Sequence, residues 1–144
     1  MAYHHGRISL LAVLAQVFIE PIQRISMRAN FMTTHTDLFL TYLRHYAAKD
    51  LQAISAMFAE DIHLRDWNIS VHGKEEAIRE TAKNFAEAES LETRVLATYE
   101  NADTIAGEIH IVVDGRIDLY VVDVVTFNSQ DCITAIRSYK GRGD

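Results

Sequence analysis

From Leu91 onward the chain runs through four β-like stretches, "RVLATYE", "TIAGEIHIVV", "RIDLYVVDVVTF" and "CITAIRSY", with no helical stretch between them. This succession constrains the fold more than any other feature. Side chains of a strand point alternately to two faces, so each stretch has an apolar face to bury. The connections are too short for parallel crossovers, which need a dozen or more residues. An antiparallel meander follows. Asp114-Gly115, between the second and third stretches, is a strong two-residue hairpin signal. "NSQD" turns the third stretch into the fourth.

The first half has a different period. Leu38, Phe39, Tyr42, Leu43, Tyr46 and Ala47 follow helical spacing, with Thr36 as the expected cap. Lys49-Asp50 interrupts, and Asp50 can cap a second helix carrying Leu51, Ile54, Met57 and Phe58. "DIHLRDW" then alternates, with Ile62, Leu64 and Asp66 on one side and His63, Arg65 and Trp67 on the other. Gly73 precedes a third helix with Ala77, Ile78, Thr81, Ala82, Phe85 and Ala86 on one stripe. Helices first and strands after predict an α+β protein. A curved, mainly antiparallel sheet wrapped around three helices would enclose a cone-shaped pocket.

The chain has 144 residues, enough for one domain with a real core. Its formal net charge of −6, with no long basic run, argues against nucleic acid as the main partner. Cys132 is the single cysteine, so no internal disulfide forms and a reducing, cytoplasmic setting is the default. The seven histidines show no metal-ligand spacing such as H-E-x-x-H. No Gly-rich phosphate loop, G-x-S-x-G or Cys-x-x-Cys occurs. Neither a metal nor a cofactor is expected.

Residues 8–19 form an apolar run too short to cross a bilayer, so no membrane association is expected. A secretory leader would place Arg7 before such a run, but no small-x-small site follows closely and Glu20-Pro21 breaks it. An extra N-terminal helix, kinked or interrupted at Pro21, is the expectation. On that reading residues 1–31 are an extension and residues 32–144 the functional domain.

"LYVVDVVTF", residues 119–127, raises the chemical question, because Asp123 sits in the middle of the most apolar strand. A buried, unpaired carboxylate costs several kcal/mol or gives up its charge. Either the strand shows Asp123 to water, or the carboxyl is kept for chemistry. Val121, Val125 and Phe127 share its face and favour the neutral form.

"YAAKDLQAISAMFAEDIHLRDW" and "VDVVTFNSQDCITAIRSYKG" resemble the helix–helix–strand entry and the terminal hairpin of the nuclear-transport-factor-2-like superfamily. That group includes ketosteroid isomerases, scytalone dehydratase, limonene epoxide hydrolase and SnoaL-like polyketide cyclases. The resemblance covers residues 36–141. The ketosteroid isomerases give the closest positional match. It implies that Tyr42, eight residues before Asp50-Leu51, is an oxyanion donor. It implies that Asp66, closing the short strand, is the general base. Asp123, four residues before Phe127, would be the second oxyanion donor, a neutral acid. Trp67, Phe85, Val121, Val125, Phe127 and His63 would line the pocket. Moving a double bond toward a carbonyl needs such a base and such donors.

The surroundings differ from the steroid enzymes. Trp67 stands where they usually carry proline, the loop over residues 66–73 is shorter, and Thr81 replaces a supporting tyrosine. The last strand reads Arg137-Ser138-Tyr139, without the aspartate of the epoxide hydrolases. The implied function is a cofactor-independent proton shift on a small apolar carbonyl compound. A dehydratase- or cyclase-like lyase and a non-catalytic binding or dimerisation module are the alternatives. Family resemblance implies a homodimer through the outer sheet face, with Ile117, Val122 and Val124 supplying apolar surface.

Overall fold

The computed structural model describes residues 33–144. The expected N-terminal extension, with its apolar run and Pro21, lies outside the described residues. Thr34–Asp144 form one compact unit.

Helix α1 spans His35–Ala47. Its cap is Thr34, not the expected Thr36. Asp37 N–H donates to Thr34 Oγ1 and Thr34 N–H donates to Asp37 Oδ2, each at 3.0 Å. This reciprocal capping box satisfies two backbone donors at once, which Thr36 inside the first turn cannot do. Asp50 caps α2 (Leu51–Met57) by accepting from Ala53 N–H at 3.0 Å, as expected. Helix α3 is Lys74–Glu87, entered through Gly73 at φ 90°, a conformation that favours glycine.

The strands are β1 (Phe58–Arg65), β2 (Ser70–His72), β3 (Leu91–Asn101), β4 (Thr104–Val113), β5 (Ile117–Phe127) and β6 (Ile133–Lys140). Phe58, expected at the end of the second helix, instead opens β1 with extended backbone. The sheet order is β2-β1-β6-β5-β4-β3. Strands β3 to β6 form the antiparallel meander, and β1 joins it in parallel beside β6. The β4–β5 connection pairs Val113 with Ile117, so three residues form the loop rather than two. Asp114 and Gly115 both take positive φ there, as a primed turn requires.

One face of the sheet is buried against the helices. Ile105 and Ile109 of β4, Val121, Val125 and Phe127 of β5, and Ile133 and Ile136 of β6 point into it. Phe39, Tyr42 and Leu43 of α1, Ile54 of α2, and Ala77 and Phe85 of α3 pack from the other side. Phe39 lies so close to Gly107 that a Cβ there would collide with two ring carbons. The bare backbone of Gly107 is thus what lets α1 approach the sheet. The architecture is the expected one: three helices on a curved, mainly antiparallel sheet, which stays open at its edges.

Candidate functional site

Gly107 pairs directly with Asp123 across β4 and β5, and Ser138 pairs with Asp123 from β6. Asp123 therefore sits in the middle of the buried face, flanked by strands on both sides. It is 7% exposed, and with Thr81 it is one of two buried polar side chains among the described residues. Thr81 spends its hydroxyl on the Ala77 carbonyl one turn back, at 2.8 Å. Asp123 accepts from Ser138 Oγ at 2.5 Å. Burial pushes its carboxyl up to about 6, the negative charge of Asp66 adds to the rise, and the Ser138 hydrogen bond opposes it. The direction matches the expectation of a carboxyl held toward its neutral form. The extent is smaller than a fully neutral acid at pH 7. With a midpoint of about 6, about one molecule in ten holds the proton there.

Tyr42, 4% exposed, faces this region from α1. Its phenol is pushed well above the usual 10, by burial first and then by the charge of Asp123 and by Tyr46. Asp66 lies immediately after β1, half-buried. Its Oδ1 accepts from Asn68 N–H at 2.6 Å and Ile69 N–H at 2.8 Å, which ties the β1–β2 turn. One carboxylate oxygen is thus spent on the turn and Oδ2 remains. The charge of Asp66 reaches Asp123, and that of Asp123 reaches Tyr42.

Tyr46 joins them. It stands one helical turn beyond Tyr42, packs edge-on against Phe85 at 5.0 Å, and accepts from Asn84 Nδ2 at 3.2 Å. Burial raises its phenol, and the charges of Asp123 and Asp66 both contribute. It is the described tyrosine that senses both carboxyls. Helical spacing alone marks Tyr46 as a core position. Nothing local in the sequence shows that Asn84 of α3 meets it.

The expected lining divides. Val121 flanks Asp123 on its own face, and Val125 lies on the other side of it. Val125 and Phe127 belong to the contiguous core, where Phe127 stacks on His35 at 4.8 Å. Phe85 contributes through Tyr46. Trp67 is 43% exposed in the β1–β2 turn, with the Lys140 ammonium 5.8 Å from its ring centroid. His63 does not share the buried face of Asp123. It alternates with the buried Ile62, so it projects to the outer face, stacked on His72 at 4.0 Å and bonded to Ser70 at 2.8 Å. There burial, His72 and the cations of Arg65 and Arg137 hold its imidazole below the ordinary value. A groove of about 190 Å³ lies against the C-terminal tail, lined by Leu96, Ile109, Tyr120, Val121 and residues 141–144 among others, so Val121 of the expected lining borders it. None of Tyr42, Asp66 and Asp123 borders it.

Among the described residues no group of three or more acidic, histidine or cysteine side chains is placed to hold a metal. No described helix is long and apolar enough to cross a membrane. The chemistry on offer is proton transfer between buried and half-buried oxygen acids, with phenolic donors beside them.

A curved sheet with helices in its concavity and an ionisable group at its buried centre defines an α+β protein of the NTF2-like kind. The chain belongs to the SnoaL-like domain family, whose model matches residues 39–136. No curated protein matches it. Among solved structures, an NTF2-like protein of unknown function from Cytophaga hutchinsonii is similar with a TM-score of 0.65 at 14% identity, covering 76% of this chain and 92% of that one. A candidate ketosteroid isomerase from Kribbella flavida gives 0.59 at 12% identity, covering 72% and 74%. The epoxide hydrolase/cyclase-like enzyme SalBIII, of pyran ring formation in the polyether salinomycin, gives 0.65 at 19% identity, covering 74% and 90%. At these identities the likeness is one of fold.

Proposed function

We propose that the protein is a cofactor-independent enzyme that shifts a proton on a small, mostly apolar carbonyl compound through an enolate. Asp66 takes the proton α to the carbonyl and returns it to the γ carbon. Tyr42 and Asp123 donate to the carbonyl oxygen as it gains charge. The observation that carries this reading is the buried carboxyl of Asp123, raised to about 6 beside a buried tyrosine and a second carboxyl. Two carboxyl groups can serve as base and as donor only if their surroundings hold them in different protonation states. Asp123, buried between Val121 and Val125 on its strand face, is the one whose proton burial favours. A donor aimed at the developing oxyanion contributes on the order of a hundredfold or more in rate. The proposed ligand is apolar because the walls around Asp123 are.

The test is incubation with a simple β,γ-unsaturated cyclic ketone, followed by the absorbance of the conjugated product. Catalysed conversion supports the proposal. Saturable binding of the ketone without conversion would instead indicate a binding module. A dehydratase- or cyclase-like reaction in the same pocket is the second reading. Tyr46, fixed by Asn84 and close enough to sense both carboxyls, favours it by supplying a further hydroxyl for a leaving or attacking oxygen.

The proposal includes a homodimer formed through the outer sheet face, where Val122 and Val124 project, and a reducing, cytoplasmic setting for the lone Cys132. Ile117, grouped with those valines from the sequence, has the parity of Asp123 and lies exposed at the strand's start.

A further inference from the structure

Asp123 has two oxygens with unequal surroundings. Oδ1 accepts from Ser138 Oγ at 2.5 Å. Ser138 is held in place by its strand, as the register partner of Asp123 across β5 and β6. On the other side Asp123 pairs with Gly107, which brings no side chain, and the Phe39 ring covers that backbone. Among the described residues, the polar groups that face Asp123 are few. Helix α1 brings Tyr42 and Tyr46, the end of β1 brings Asp66, and β6 brings Ser138. Lys140, two residues beyond Ser138, is exposed and lies over Trp67. Helix α3 buries Thr81 and Phe85, and its exposed Asn84 donates to Tyr46; none of the three titrates.

We infer that Ser138 is a positioning residue for the site: its hydroxyl occupies Asp123 Oδ1, so the proton that Asp123 carries sits on Oδ2 and is presented to the ligand oxygen. This deepens the proposed enolate chemistry and rests on it for its functional meaning. A carboxylate can only accept, so the hydroxyl must be the donor while Asp123 is ionised. When Asp123 gains a proton, Ser138 can keep donating to Oδ1 only if the proton goes to Oδ2. The same bond stabilises the ionised form. Ser138 therefore sets the pH at which the donor becomes available as well as its direction. It counterbalances Asp66, whose negative charge favours the protonated form.

The inference predicts opposite shifts from two neighbours. In the full chain, the Asp123 carboxyl is followed by carbon-detected NMR from pH 4 to 8. Ser138→Ala should raise its midpoint by about one pH unit, the tenfold change expected from losing one hydrogen bond to a charged group. Ser138→Thr keeps a hydroxyl on the same strand position and should restore the midpoint toward wild type. Asp66→Asn should lower it. A thermal melt of each variant reports the fold separately. A midpoint that Ser138→Ala leaves unchanged or lowers, with the melt intact, would overturn the inference, and so would a Ser138→Thr midpoint that follows Ala. The titration needs neither ligand nor turnover. If the shifts appear but no ketone is isomerised, the enolate reading fails and the role of Ser138 toward Asp123 stands.

Discussion

Asp123 carries an energetic cost that its position makes measurable. Its folded-state value of about 6 lies above the ordinary 3.8. A carboxyl raised on folding binds protons more tightly in the folded protein. It therefore favours the fold at low pH, and that contribution is lost as pH rises through the folded value. The window runs from about 3.8 to about 6, and above it the ionised form costs on the order of 3 kcal/mol. Asp123→Asn keeps the shape and an acceptor for Ser138 but never ionises. It should be more stable than wild type at pH 8, by about 1–3 kcal/mol in chemical denaturation. The advantage should vanish near pH 4. Equal stability of the two proteins at pH 8 would place Asp123 in contact with water. Catalysis should respond in the opposite sense. Asp123→Leu, which has no donor, should lose more activity than Asp123→Asn, as rates with the cyclic ketone would show.

At the scale of elements, the meander was legible because the runs are rich in strand-forming residues and are joined by short turn signals. The parity also placed Val121, Asp123, Val125 and Phe127 on one face. The parallel pairing of β1 with β6 was not legible, since residues about seventy apart in sequence carry no local sign of adjacency. Nor was β2, three residues long. The Asp123–Ser138 pairing depends on an irregularity of the β5–β6 register between Thr126 and Phe127, which counting back from the turn would miss. Thr34 as cap was legible in principle, because Asp37 three residues later completes a capping box. The alternation of "DIHLRDW" likewise sends His63 to the face opposite Ile62, against its assignment to the pocket. Gly107 is the position where element packing is most exposed to test. Gly107→Ala would drive a methyl into the fully buried Phe39 ring. Overpacking of this kind costs about 1–3 kcal/mol. A thermal melt showing no loss would mean that α1 can retreat from the sheet.

For the whole molecule, a sheet with one buried face leaves the other to be explained. Val122 and Val124 project outward from the central strand β5, between Glu108 of β4 and Arg137 of β6. A homodimer through this face would bury them. Light scattering at micromolar concentration should give twice the chain mass, and Val122→Asp with Val124→Asp should give the monomer. A wild-type monomer would count against the assembly. Thr34–Asp144 have their own core, so deletion of residues 1–31 should leave a soluble domain with one cooperative melting transition. Loss of cooperative unfolding would move the domain boundary toward the N-terminus. The family was legible from residues 36–141 because its entry helices and terminal hairpin are long segments. The reaction was less so, because one fold of this kind hosts many chemistries.

Hydrogen–deuterium exchange at the γ carbon of a simple cyclic enone, whose loss of a proton gives the same dienolate, tests the central claim most directly in D₂O near pH 6. It isolates proton abstraction from every later step. The wild-type protein should accelerate exchange over buffer, with a rate that falls as pH rises through about 6 and Asp123 loses its proton. Asp66→Asn should abolish the acceleration, because Asp123 is assigned to the oxygen and, among the described residues, no third carboxyl reaches it. Exchange no faster than in buffer, or an Asp66→Asn protein as active as wild type, would contradict the assignment of Asp66 and Asp123 as base and donor.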